Sequence, residues 1–189
     1  MKILTGYLKG KTLIFEPNPQ LRPTTDKVRK AVFDVLQGYA EGKRVLDLFS
    51  GTGAMGFEAL SQKASFVLFV EKDPPKTRRI ELVLKRLHLE ASAEVLCLDS
   101  LLAVERLRLS GETFDLVFLD PPYGENLGEQ TLHALAKADL LKKHGLVFVE
   151  TGRREDLPEK VLNLLLVRDK KYGQSRLRTY QKESVGSTP

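Results

Sequence analysis

Between residues 44 and 150 the chain alternates short, nearly continuous apolar runs with stretches of helical periodicity. The runs are Arg44–Phe49, Phe66–Glu71, Ala93–Leu98, Phe114–Asp120 and Gly145–Glu150. The helical stretches lie around Ala54–Gln62, Lys76–Leu87, Leu101–Leu107 and Leu127–Leu141. Strands that are apolar throughout need cover on both faces, and alternation with helices predicts a parallel sheet. Val161–Val167 and Arg176–Lys182 flank Gly173 with no room for a crossover helix, so they should pair as an antiparallel hairpin. Upstream, Thr24 or Thr25 can cap a helix that has Asp26 in its first turn and ends before Gly38. Val28, Ala31, Val32, Val35 and Leu36 supply its apolar face. The first twenty residues, with Gly6, Gly10, Pro17 and Pro19, read as a strand or hairpin arm rather than core. The predicted fold is α/β and Rossmann-like. It is a mostly parallel seven-stranded sheet with helices on both faces and a C-terminal antiparallel hairpin. A basic arm (1–20) precedes one domain (21–182), and a frayed tail (183–189) follows it.

Composition narrows this picture modestly. A chain of 189 residues, 42% of them hydrophobic, suits one globular domain. No apolar run reaches the roughly 20 residues of a membrane span, and the start lacks a leader pattern. One cysteine, Cys97, and three unclustered histidines predict a reducing, cytoplasmic setting with no metal. Residues 1–30 hold seven basic and two acidic residues, and residues 168–182 hold six basic residues against Asp169, so each end is +5. Two basic ends suit a polyanion, but lysines that are merely solvated would look the same.

Asp47-Leu48-Phe49-Ser50-Gly51-Thr52-Gly53-Ala54-Met55-Gly56 closes the first strand with an acid, turns on glycines and opens a helix. Glycine admits a tight turn and lets a ligand approach the backbone. The helix start offers N–H groups to a carboxylate or phosphate. Gly51, Gly53 and Gly56 also satisfy the dinucleotide fingerprint, with Glu71 twenty residues after Gly51. The motif points to a nucleotide-like cofactor without saying which; a turn required only for strand–helix packing stays open. Glu71 can accept hydrogen bonds from both hydroxyls of a ribose. Asp99 can accept from an adenine amine, or it can cap the next helix.

Asp120-Pro121-Pro122-Tyr123 ends the fourth apolar run and narrows the chemistry. An amine on an aromatic ring is a poor nucleophile because its lone pair is delocalised. The Asp120 carboxylate and the Pro121 carbonyl can hold both amine hydrogens and turn the lone pair toward a methyl donor. Two prolines preorganise that carbonyl, and Tyr123 offers a ring on which an unstacked base can lie. An amine is what this loop recognises, so an adenine or a protein glutamine would serve as well as a guanine. A dinucleotide oxidoreductase would use the glycine loop but not the tetrad; a non-catalytic RNA-binding module would use only the basic ends.

The glycine loop, Glu71 and the tetrad resemble class I S-adenosylmethionine-dependent methyltransferases. With Gly6–Lys11, Leu21–Arg29 and the closing Tyr172-Gly173 and Tyr180, the chain resembles the RsmD family from about Gly6 to Lys182. The resemblance implies methylation of the guanine N2 amine of bacterial small-subunit (16S) ribosomal RNA. It implies that Asp47, Ser50, Gly51, Gly53, Glu71, Asp99 and Ser100 line the S-adenosylmethionine site. Asp120, Pro121, Pro122 and Tyr123 would hold the guanine, and Lys9, Lys11, Arg22, Lys27 and Arg29 would grip RNA. A monomer is expected. The loop Gly124-Glu125-Asn126, short and acidic, departs mildly from the family pattern.

Overall fold

The computed structural model describes residues 1–13, 26–122 and 126–183. Two compact units contain them, Met1–Ser100 and Leu101–Pro189.

In the first unit the arm leads to α1 (Asp26–Leu36), β1 (Arg44–Leu48), α2 (Ala54–Ser61), β2 (Phe66–Glu71), α3 (Pro74–Leu87), a 3-10 turn at Glu90–Ser92 and β3 (Ala93–Cys97). The strands are parallel in the order β3-β2-β1. Leu48 pairs with Val70 and Glu71 with Cys97, so the three carboxyl ends finish level. The apolar runs set this order because β1 and β2 are almost wholly buried. Every residue of α2 is buried, and its Phe57 ring sits 5.2 Å from that of Phe69 on β2. A Cβ on Gly56 would come within 2.1 Å of Phe69 Cε1, so helix and strand meet where only glycine fits. Helix α3 starts two residues earlier than its periodicity suggests. Pro74 and Pro75 cause this: proline lacks only an N–H that a first turn leaves unpaired.

The arm folds back on itself, with Lys2 bridging Thr12 and Ile3 N–H donating to Lys11 O at 3.0 Å. Its expected exclusion from the core does not hold, because Ile3, Leu8 and Leu13 are buried. The arm lies close against α2: a Cβ on Gly6 would be 2.0 Å from Ser61 O. The boundary expected after residue 20, the caps Thr24 and Thr25, and residues 184–189 of the tail lie outside the described residues.

The second unit holds α4 (beginning at the boundary, Ser100–Ser110), β4 (Phe114–Leu119), α5 (Leu127–Ala138), β5 (Leu141–Gly152), β6 (Lys160–Val161), β7 (Leu164–Tyr172) and β8 (Ser175–Lys182). Their order is β4-β5-β8-β7-β6. β4 and β5 are parallel, and the rest are antiparallel as the hairpin predicts. Among the described residues eight strands are found where seven are expected; the extra one is the two-residue β6, paired to Leu164 and Leu165. The hairpin also runs further than its apolar stretch. Its polar half, Arg168–Tyr172, is held by the ladder to β8 and by Arg176, which donates from Nε to Asp169 Oδ1 at 2.8 Å and from Nη2 to Oδ2 at 2.5 Å. Those hydrogen bonds hold the Asp169 carboxyl below its ordinary range.

Beside them Tyr180 is fully buried and donates to Pro158 O at 2.8 Å. Burial, which disfavours phenolate, pushes its hydroxyl up to about 12. A folded-state value above that of the unfolded chain means stability intact below about pH 10 and lost as pH rises toward 12. Alkaline unfolding followed by circular dichroism should therefore show a loss over that window that Tyr180→Phe reduces. An identical alkaline limb in the variant would refute this role.

Candidate active site

The glycine loop grows directly out of β1. Phe49 takes φ 61°, a left-handed conformation that is strained for an aromatic residue and marks a turn held by its surroundings. Ser50 supplies the hold: its Oγ donates to Asp47 O at 2.6 Å and accepts from Val70 N–H at 2.9 Å, tying the loop to β2. Asp47 is buried, and its Oδ2 accepts from Gly56 N–H at 2.9 Å, which fixes the first turn of α2 over the strand end. Gly53 stands at the N-cap with φ 73° and brings no side-chain acceptor. An incoming carboxylate or phosphate would suit that helix start.

Glu71 closes the other side of the loop. Its Oε2 accepts from Gly51 N–H at 2.9 Å, its Oε1 accepts from Asp73 N–H at 3.0 Å, and Lys76 Nζ lies 3.6 Å from Oε1. A carboxylate has about four acceptor sites, so these two N–H groups leave it able to take a ribose diol. Asp99 is exposed two residues past β3, and Ser100, buried, opens α4. Leu98 N–H donates to Glu71 O at 3.2 Å, which brings this third strand end to the same edge as Glu71. The expected cofactor residues of the first unit are thus joined by direct hydrogen bonds or by strand register. Lys76 is missed by sequence reasoning; a cation in the first turn of α3, five residues after Glu71, is the signal that could have found it.

In the second unit Asp120 directly follows β4, half-buried, with Pro121 buried and Pro122 exposed. A Cβ on Gly128 would lie 3.6 Å from Pro121 Cγ and 3.4 Å from Thr151 Cγ2, so the start of α5 backs the first proline. The rigid turn expected of two prolines is therefore also buttressed from behind. Tyr123 lies outside the described residues, as does Arg22.

The cations expected on RNA divide. Lys9, Lys11 and Lys27 are exposed, whereas Arg29 is fully buried. Its Nε stands 3.4 Å from Glu58 Oε1, and its Nη2 donates to Lys2 O at 2.9 Å and to Asp26 Oδ1 at 2.8 Å. The expectation that Arg29 contacts RNA is corrected: its guanidinium is committed to the protein interior. Glu58, not anticipated, accepts from Leu4 N–H at 2.6 Å and from Thr5 N–H at 3.1 Å and Thr5 Oγ at 2.6 Å. Among the described residues no group of three or more His, Cys, Asp or Glu could hold a metal ion. None of their helices is long and apolar enough to cross a membrane.

The architecture is that of the Rossmann-like α/β methyltransferases, with the glycine loop and the Asp-Pro-Pro turn each at the carboxyl end of a strand. More narrowly, the model of the family described as "Conserved hypothetical protein 95" matches residues 1–181, and the chain belongs to that family. A relative from Haemophilus influenzae, named Ribosomal RNA small subunit methyltransferase D, is 35% identical over 96% of this chain and 93% of its own length. The solved Escherichia coli protein yhhF is 33% identical, covering 97% of this chain and 98% of that one with a TM-score of 0.82. A more distant structure, solved in complex with S-adenosylhomocysteine, is 19% identical, covers 82% of this chain and 48% of that one, and has a TM-score of 0.66. That last likeness concerns the fold.

Proposed function

We propose that this chain transfers a methyl group from S-adenosylmethionine to the exocyclic N2 amine of a guanine in small-subunit (16S) ribosomal RNA. The carrying observation is Asp120-Pro121-Pro122 directly after β4, with Tyr123 next in the sequence, in a chain of this family. The relative's name supports the RNA substrate, and a ribosomal substrate fits a cytoplasmic protein.

The residues of the first unit suit the donor. Glu71 would take the ribose hydroxyls, Asp99 the adenine amine, and the N–H groups at the start of α2 other than that of Gly56, which Asp47 already holds, the methionine carboxylate. When bound, the donor supplies an electrophilic methyl on a sulfonium. The Asp120 carboxylate and the Pro121 carbonyl would accept the two amine hydrogens, so that the nitrogen lone pair points at that methyl. Transfer of the methyl from sulfur to the amine would leave positive charge on nitrogen, which the Asp120 carboxylate would stabilise until the surplus proton left for Asp120 or solvent. Tyr123 would stack on the extruded base. Rate enhancement on this scheme comes from positioning and electrostatics, with no covalent enzyme intermediate.

Small subunits from cells that lack the enzyme, incubated with the chain and labelled S-adenosylmethionine, should acquire label in one guanine of the RNA. A parallel binding titration should show saturation by S-adenosylhomocysteine and none by NAD. Tight NAD binding together with no response to S-adenosylhomocysteine would exclude a methyltransferase and restore the oxidoreductase reading.

A further inference from the structure

A groove of about 370 Å³ runs between the arm and α1, lined by Leu4, Thr5, Lys9, Asp26, Lys27 and Lys30. We propose that it is a phosphodiester-binding subsite for the RNA substrate, with Lys9, Lys27 and Lys30 as its cations. This rests on RNA being what the chain methylates. Lys27 and Lys30 lie three residues apart on α1 and so share a face, and Lys9 reaches the same groove from the tip of the arm. All three are exposed. Asp26, the acid in the lining, has its carboxylate turned onto Arg29 Nη2 at 2.8 Å, which tempers its repulsion of a phosphate.

The groove is also rigid, which separates it from an ordinary solvated face. Glu58 holds Leu4 and Thr5 from α2, and Arg29 joins Lys2, Asp26 and Glu58. Backbone turns close the arm: Lys9 N–H donates to Gly6 O at 3.2 Å and Gly10 N–H to Ile3 O at 2.9 Å. From the far side the Arg86 guanidinium donates to Thr12 O. The lysine-bearing arm is thus fixed before RNA arrives, and binding need not order it. Preorganised cations at fixed spacing suit a regular polyanion.

The test compares K9Q/K27Q/K30Q with K63Q/K85Q/K137Q, which removes the same charge at exposed lysines outside the groove. The probe is an unmodified small-subunit rRNA transcript, with S-adenosylhomocysteine affinity as the folding control. Three lost phosphate contacts lower the salt slope by about 2, so between 50 and 200 mM salt the wild type should lose about 20-fold more affinity than the groove variant. The control variant should keep a slope near the wild type. Equal slopes in groove variant and wild type, or equal loss in both variants, would overturn the subsite. Wild-type methyl transfer to small subunits from cells that lack the enzyme is measured alongside. Its absence would overturn the functional reading itself, whereas transfer with unchanged slopes would overturn the groove alone.

Discussion

Replacing Asp120 by alanine is expected to lower methyl transfer by about 10²–10³-fold, the range seen when one preorganised polar group is removed from a reacting centre. Affinity for S-adenosylhomocysteine should stay within a few-fold of the wild type, because the carboxylate follows β4 whereas the cofactor contacts proposed above come from the loop after β1, from Glu71 and from Asp99. Asp120→Asn separates two parts of the effect. It keeps one acceptor for an amine hydrogen but loses the negative charge that faces the developing cation, so it should fall between wild type and alanine. The observables are single-turnover transfer of labelled methyl and a separate cofactor titration. Normal turnover in Asp120→Ala would remove this carboxylate from the reaction. Equal losses in turnover and in cofactor affinity would instead assign it to the cofactor site.

The second large effect concerns stability. Arg29→Ala is expected to destabilise the fold by about 3–5 kcal/mol, because it leaves the Glu58 carboxylate buried without its cation. For a chain of this size that is roughly 6–20 °C in Tm. Arg29→Leu combined with Glu58→Gln should recover part of the loss. No charge then remains in the interior, but the amide keeps only one of the two oxygens that accept from Leu4 and Thr5. Calorimetry on the single and double variants measures both outcomes. A loss below about 1 kcal/mol for Arg29→Ala, the range of an exposed pair, would mean that the pair is solvated rather than buried.

The contrast between Lys27, Arg29 and Lys30 shows where local sequence stops being informative. Lys27 and Arg29 both read as cations for RNA, yet Lys27 and its neighbour Lys30 are exposed while Arg29 is interior. Its position was available in principle: Arg29, Val32, Phe33 and Leu36 follow the i, i+3, i+4, i+7 spacing of a buried face, and all four are buried. The periodicity taken from Val28, Ala31, Val32, Val35 and Leu36 is rotated from that face because it leaves out the buried Arg29 and Phe33 and counts the half-buried Ala31 and Val35. Glu58 carried a matching signal, a lone acid in a helix buried on every side. Neither signal names the partner, because Arg29 and Glu58 meet only when α1, α2 and the arm pack.

The polar half of β7 was hidden for a similar reason. Arg168–Tyr172 has no apolar alternation, and its strand character comes from the ladder to β8 and from Asp169 on Arg176. Lys76 beside Glu71 likewise depends on how α3 returns over the strand end.

What the sequence alone determined is the part written in short-range terms. Continuous apolar runs between helical stretches require parallel strands covered by helices, and glycines after Asp47 require a tight turn into a helix. An acid followed by two prolines at a strand end requires a stiff turn, the one proposed above to accept amine hydrogens. The tertiary structure alone decided which charges are interior and which face solvent, how the arm is anchored and where a groove opens beside it. A side chain's burial depends on what packs over it, and that partner lies on another element of the chain.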